Sequence, residues 1–375
     1  MADAGFKAGL EDVVALTSDL CFIDGKEGRL VYRGYDAVDL AQHASFEEVV
    51  FLLWYGRLPN ATELSALRRE LAENRDPHSA VRNLIASLPA DTAPMDVLRT
   101  AVSLAGIYDP DRNAMDTEAN HRKAVRLVAQ IPTIVAYFEQ SRHRREVLPP
   151  NPQLSLAGNF LYMLTGQNPS EQSVKALDTA LILHADHELN ASTFSARVTA
   201  GTLSDIYSAV TSAIGTLKGP LHGGANEQVM RMVDAIETLD NVRPWLDRAF
   251  AEKRKIMGFG HRVYKTDDPR AVVLRRISYE MGETAGTLTV YQLLEAIGAY
   301  VRERKQLHPN VDFYSGSVYR MMGIPADIFT PVFAISRIAG WTAHILEQYH
   351  NNRLIRPRAE YTGPTHLAYK PLAER

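Results

Sequence analysis

The 375-residue sequence predicts an all-α fold with one small β-hairpin near its start. Apolar residues recur with helical period almost everywhere after residue 33. The one pair of strand-like runs lies before it, and no internal repeat of fixed period suggests a solenoid. A chain of this length is too long for one small core and fits two domains or one large helical body.

Taken in order, Cys21-Phe22-Ile23-Asp24 and Arg29-Leu30-Val31-Tyr32-Arg33 flank the turn-rich Gly25-Lys26-Glu27-Gly28 and form the hairpin. Ser45-Phe46-Glu47-Glu48 reads as a capping box opening a helix that Gly56 stops. Further helices are predicted over 61–73, 78–88, 95–107 and 117–141, the last with a kink at Pro132. Six more cover 154–164, 170–185, 191–199, 204–217, 226–237 and 244–255, and the remainder cover 269–281, 287–304, 312–322 and 327–349.

Composition excludes several classes of function. The hydrophobic fraction is 46% and the charged fraction 23%, ordinary values for a soluble protein. The 41 basic and 44 acidic residues leave a net charge of -3, with no basic excess to hold nucleic acid. Arg142, His143, Arg144 and Arg145 read as a solvated helix end. Cys21 is the only cysteine, so no intrachain disulfide forms and a reducing compartment is expected. Residues 1–10 hold no signal-peptide core, and no run approaches the ~18 apolar residues of a membrane span. The expected setting is soluble and cytoplasmic, without membrane partners.

Three segments depart from helix filler: His184-Ala185-Asp186-His187-Glu188-Leu189-Asn190-Ala191-Ser192, Lys218-Gly219-Pro220-Leu221-His222-Gly223-Gly224-Ala225-Asn226, and Gly258-Phe259-Gly260-His261-Arg262-Val263-Tyr264-Lys265 with Asp267-Asp268-Pro269-Arg270 after it. In the last two, a histidine sits among glycines at a loop-to-helix junction. Glycine there lets backbone approach a ligand, and histidine supplies proton transfer or a neutral donor. His184 and His187 share a helix face and open a metal reading, which Asp186, Glu188, His222 or His261 would have to complete. Asp312, in His308-Pro309-Asn310-Val311-Asp312-Phe313-Tyr314-Ser315-Gly316, reads on its own as a helix N-cap. Arg337 reads as an amphipathic helix-rim arginine, and Arg356 and Arg358 as tail charge.

In this order, Gly-Pro-Leu-His-Gly at 219–223, Gly-Phe-Gly-His-Arg-Val-Tyr at 258–264 with Asp-Pro-Arg at 268–270, and Asn-Val-Asp-Phe-Tyr-Ser-Gly at 310–316 resemble the citrate synthase family. The resemblance runs from Leu30-Val31-Tyr32-Arg33-Gly34-Tyr35 to Arg356-Pro357-Arg358, and the length is similar to the compact dimeric bacterial and archaeal members. It implies a two-domain helical fold. Residues 1–220 and 320–375 would form a large domain with the dimer interface, and 221–319 a small domain carrying CoA and catalytic residues.

The implied reaction is a Claisen-type condensation of acetyl-CoA with oxaloacetate, then thioester hydrolysis to citrate and CoA, the entry to the tricarboxylic acid cycle. Asp312 would be the base, His222 the donor to the thioester oxygen, and His261 the acid at the ketone. His187, Asn190, Arg270 and Arg337 would hold oxaloacetate, with Arg356 reaching in from the partner of a homodimer. Lys255, Ile256, Met257, Gly258, Phe259 and Gly260 would line the CoA site, with Lys265 as a phosphate contact. No metal or redox cofactor is implied, since acetyl-CoA is a substrate. A 2-methylcitrate synthase using propionyl-CoA stays open, because one methylene discriminates by only ~1–3 kcal/mol. So do two readings of other classes, a metal hydrolase and a non-catalytic CoA-sensing helical module.

Overall fold

The computed structural model describes residues 7–375. Strands β1 (Cys21–Asp24), β2 (Arg29–Tyr32) and β3 (Tyr35–Asp36) form an antiparallel sheet in that order, with Cys21 opposite Tyr32 and Val31 opposite Asp36. The predicted hairpin is therefore a three-stranded meander. In its first turn, the Asp24 carboxylate accepts from the Lys26 and Glu27 backbone N–H groups, both at 2.9 Å.

The rest is helical: α1 (Ala37–His43), α2 (Phe46–Tyr55), α3 (Ala61–Glu73), α4 (Ser79–Ser87), α5 (Pro94–Tyr108), α6 (Thr117–Arg142), α7 (Leu156–Thr165) and α8 (Glu171–His184). They are followed by α9 (Ala191–Ala200), α10 (Ile206–Leu217), α11 (Ala225–Ile236), α12 (Val242–Ala251), α13 (Pro269–Thr284), α14 (Thr289–Lys305), α15 (Val311–Met321) and α16 (Phe329–His350). Short polar residues start many of them: Asn60, Asp116, Ser155, Ser170, Asn190, Asp205, Asp268 and Asn310 each accept a backbone N–H in the first turn. The capping box at α2 forms as read, with Glu48 accepting from the Ser45 N–H at 2.8 Å, and Gly56 ends the helix at φ 75°. Helix α1 was not predicted. Its seven residues, capped by Asp36, bury only Ala37, Leu40 and Ala41, too few to show a period. Helix α6 runs unbroken through the buried Pro132.

Helix α16 is the axis of the fold. It packs against α2, α5, α6, α8, α9 and α10 and is buried almost all round, Trp341 included. Helices α11–α15 pack chiefly on one another and meet the remainder where α13 and α15 touch α8 and α11 touches α16. Among the described residues no helix is long and apolar enough to cross a membrane.

Candidate active site

The site begins at the C-terminal end of α8, where the last helical carbonyls lack partners within the helix. Here they find them in distant segments. The Tyr32 hydroxyl donates to the Asp186 carbonyl at 3.0 Å and lies 3.2 Å from that of Ile182. Ser336 donates to the Leu181 carbonyl, Arg337 Nε to that of His184 at 2.7 Å, and the Gly340 N–H to that of Ala185 at 3.0 Å. A Cβ on Gly340 would stand 2.4 Å from the Ala185 oxygen, so only glycine admits this approach. The segment from His184 to His187 is thus pinned and buried.

Two guanidiniums are buried beside it. Arg337 is 1% exposed and, beyond its bond to His184, makes no hydrogen bond through its Nη atoms among the described residues. Arg270 is 3% exposed, and its Nε and Nη2 clasp the Asp268 carboxylate at 3.0 and 2.8 Å. Burial opposes both charges of that pair. Their mutual attraction prevails, holding Asp268 below its usual range and Arg270 above its own. Asp268 also accepts the Val311 N–H at 3.0 Å, so one carboxylate ties a buried arginine to the first turn of α15.

That first turn carries Asp312. The cap of α15 is Asn310, whose side chain accepts from the Asp312 N–H at 3.1 Å, so the N-cap reading of Asp312 does not hold. Its carboxylate makes no hydrogen bond among the described residues. Burial pushes it up to about 6, with Arg270 and Arg337 pulling the other way. At pH 7 it is mostly ionised, and its proton affinity suits a general base.

Both glycine-flanked histidines are neutral. Burial, then Arg270, takes His261 down to about 4, and burial, then Arg337, does the same for His222. His261 Nδ1 accepts from the Val263 and Tyr264 N–H groups at 3.0 and 3.1 Å, which assigns the proton to Nε2 as a free donor. His222 Nε2 lies 3.3 Å from the Ser192 N–H and 2.8 Å from its hydroxyl. A backbone N–H only donates, so Nε2 is assigned as an acceptor and Nδ1–H is free to donate. Ser192 is in turn held by Trp341 Nε1 at 3.1 Å.

The loop around His261 is laid against the segment before α15. Gly260 N–H donates to the His308 carbonyl and Asn310 N–H to that of Gly258, both at 2.9 Å, and Phe259 bridges to Pro309. Gly258, at φ 83°, would place a Cβ 2.7 Å from Val229 and 2.8 Å from Phe313. The His187 and His261 rings meet edge to face at 5.2 Å, and His187 Nε2 lies 3.3 Å from the Tyr264 hydroxyl.

Of the expected oxaloacetate residues, the structure therefore groups His187, Arg270 and Arg337 within electrostatic reach of the three reactive side chains. Asn190 caps α9, accepting from the Thr193 N–H at 3.1 Å, and its Oδ1 lies 2.8 Å from the Ser192 hydroxyl, beside His222. Arg356 lies in the exposed segment 351–375 and makes no hydrogen bond or ion pair among the described residues. Of the expected CoA residues, Ile256, Gly258 and Phe259 are buried, Met257 and Gly260 are half-buried, and Lys255 and Lys265 are exposed. The described residues contain no cluster of three or more metal-ligating side chains, and His184 Nδ1 is spent on the Ala180 carbonyl at 2.7 Å. The sequence placed Asp268 and Ser192 inside its motifs without a role for either, and Trp341 in none. The signals were present: Asp268 directly precedes Pro269-Arg270, and Trp341 lies one turn beyond Arg337.

The family model described as citrate synthase, C-terminal domain, matches residues 9–358. The chain is 51% identical over 368 residues to citrate synthase 2 of Bacillus subtilis (strain 168), covering 98% of each. It is 40% identical to 2-methylcitrate synthase 1 of Corynebacterium glutamicum over the full length of both. The ternary complex of citrate synthase from Thermoplasma acidophilum with carboxymethyl coenzyme A and oxaloacetate superposes with a TM-score of 0.92, at 35% identity and 98% coverage of each chain.

Proposed function

The chain belongs to the citrate synthase family, and we propose that its buried arginines hold oxaloacetate while Asp312, His222 and His261 carry out the chemistry. It is a carbon–carbon bond-forming acyltransferase of the citrate synthase type, joining acetyl-CoA to oxaloacetate and hydrolysing the thioester.

A thioester methyl proton is barely acidic, so its removal requires stabilising the oxygen that becomes the enolate. Asp312 takes the proton, and the Nδ1–H of His222 donates to that oxygen as charge develops there. The enol carbon then attacks the ketone, whose oxygen receives the Nε2 proton of His261 as the new bond forms. Water cleaves the resulting thioester. Arg270 and Arg337 pair with the carboxylates of oxaloacetate through the N–H groups left free by the protein. What supports this reading is one observation: two buried guanidiniums with unused donors act on a half-buried carboxylate that has no hydrogen bond of its own.

The small domain, 221–319, carries His222, His261 and Asp312, and its closure over bound oxaloacetate completes the acyl-CoA site bounded by Lys255–Gly260 and Lys265. The fold works as a homodimer. The tail from residue 351 is exposed save for the half-buried Ile355, with Leu354, Tyr361, Leu367 and Tyr369 at 58%, 68%, 82% and 80%, and in this proposal it crosses to the partner with Arg356. The assay is thiol release with oxaloacetate and either acetyl-CoA or propionyl-CoA. Faster kcat/KM with acetyl-CoA is expected, and a preference for propionyl-CoA would instead make the chain a 2-methylcitrate synthase. Mixed Asp312→Ala and Arg356→Ala proteins test the tail. Random exchange makes about half the dimers mixed, and about a quarter of all sites then regain both residues. Confirmed exchange without recovered activity refutes the assignment in trans.

A further inference from the structure

Behind Arg337 lies a buried chain of polar groups that the chemistry above leaves unused. Arg197, His344 and Asp186 are 4%, 1% and 0% exposed and join α9, α16 and the end of α8. Arg197 Nη1 donates to His344 Nδ1 at 3.0 Å. An arginine only donates, so Nδ1 accepts and the His344 proton sits on Nε2, 3.2 Å from Asp186 Oδ2. The other oxygen of Asp186 is buried and has no hydrogen bond among the described residues, and its negative charge favours the buried guanidinium of Arg337. A charge left unpaired in such a place is costly unless a partner of opposite sign is fixed nearby.

The same arginine reaches the other way. Arg197 pairs with Glu347, and its Nε donates to Gln348 Oε1 at 2.9 Å. Gln348 Nε2 then donates to the Arg353 carbonyl at 3.3 Å, and Asn352 Nδ2 to that of Gly201 at 3.2 Å. The chain thus fixes where the C-terminal tail leaves the body. Arg356 follows three residues later, at most about 10 Å of extended chain.

We infer that Arg197 and His344 are positioning residues for the oxo acid. They hold Asp186 as the buried counter-charge of Arg337 and anchor the root of the tail that carries Arg356. The inference rests on the proposed roles of Arg337 and Arg356 and adds two residues that never touch substrate.

The test compares His344→Leu, His344→Gln, Arg197→Met and Arg337→Lys by KM for oxaloacetate, KM for acetyl-CoA at saturating oxaloacetate, and kcat. His344→Leu and Arg197→Met are expected to raise the oxaloacetate KM about tenfold or more, the size of a lost hydrogen bond to a charged group. The acetyl-CoA KM should stay within about twofold, a change too small to count as a lost hydrogen bond. His344→Gln, whose amide still donates to Asp186, should recover most of the loss. An unchanged oxaloacetate KM in either folded variant overturns the inference. So does equal damage by leucine and glutamine, or an equal rise in both KM values, either of which marks a packing defect. Arg337→Lys separates the two failures. If it raises the oxaloacetate KM while His344→Leu and Arg197→Met do not, this inference alone falls. If it too leaves the KM unchanged, the substrate role of Arg337 falls with it.

Discussion

The two sides of the candidate site are built by opposite means. One side, the end of α8 against α16, is buried and tied by hydrogen bonds to segments about 150 residues away in sequence, such as Tyr32 to Asp186 and Arg337 to His184. The other, the loop of His261 with the start of α15, is half-exposed and held by a few backbone bonds between 258–260 and 308–310. The first holds the guanidinium of Arg337, whose burial would otherwise be costly, and the second, with Arg270 clasped by Asp268 at the start of α13, presents the groups that would give and take protons in the proposed reaction. In that proposal the two arginines supply binding strength, and Asp312, His222 and His261 the chemistry.

The largest expected effect separates these tasks. Asp312→Asn should lower turnover by about 10²–10⁴, the usual contribution of a general base, in a folded protein. Near-normal kcat would place the base elsewhere. Asp268→Asn attacks the joint between α13 and α15 on the second side, because this carboxylate clasps Arg270 and accepts the Val311 N–H. It should depress kcat/KM by about a hundredfold, with kcat and KM both affected, as expected when a charged hydrogen-bond partner is lost. A change in KM alone would mean that the tie to α15 is incidental.

A smaller effect is expected from Gly258→Ala. Alanine there combines a positive φ with a clash against Val229 and Phe313, and should cost about 1–3 kcal/mol of stability, read as a lower Tm. An unchanged Tm would show that the loop is more yielding than its packing implies.

The last expected effect is a pH-dependent gain in stability. Burial raises the folded carboxyl of Asp312 to about 6 from an ordinary 3.8, so its ionised form weakens the fold at pH 7. That cost is full above about pH 6 and fades as pH falls toward 3.8, where the group is protonated in both states. Asp312→Asn should therefore raise Tm at pH 7, with the gain shrinking as the pH is lowered through that window. A gain independent of pH would assign it to something other than the charge.

How far the sequence disclosed this division follows from the range of the interactions. The helices were legible from their period, and the start of α2 because Ser45 and Glu48 act within one turn; the equally local box of Asn60 and Glu63 at α3 was passed over. Helix α1 and the third strand were not, being too short for a period to emerge. His222 and His261 stood out among glycines, whereas Asp312 resembled a cap until Asn310 was seen to take that place. Asp186 stood out only as part of the histidine segment, and its pairing with His344 carries no local signal, since it spans 158 residues.

Oxaloacetate binding by the Asp312→Asn protein, measured by calorimetry on a sample whose turnover is lost, tests the division most directly. If the buried arginines bind and Asp312 serves only the chemistry, its Kd should stay within about threefold of the parent, a change smaller than the loss of one hydrogen bond. Loss of oxaloacetate binding together with turnover would contradict the account, because the substrate would then depend on the very group assigned only to the chemistry.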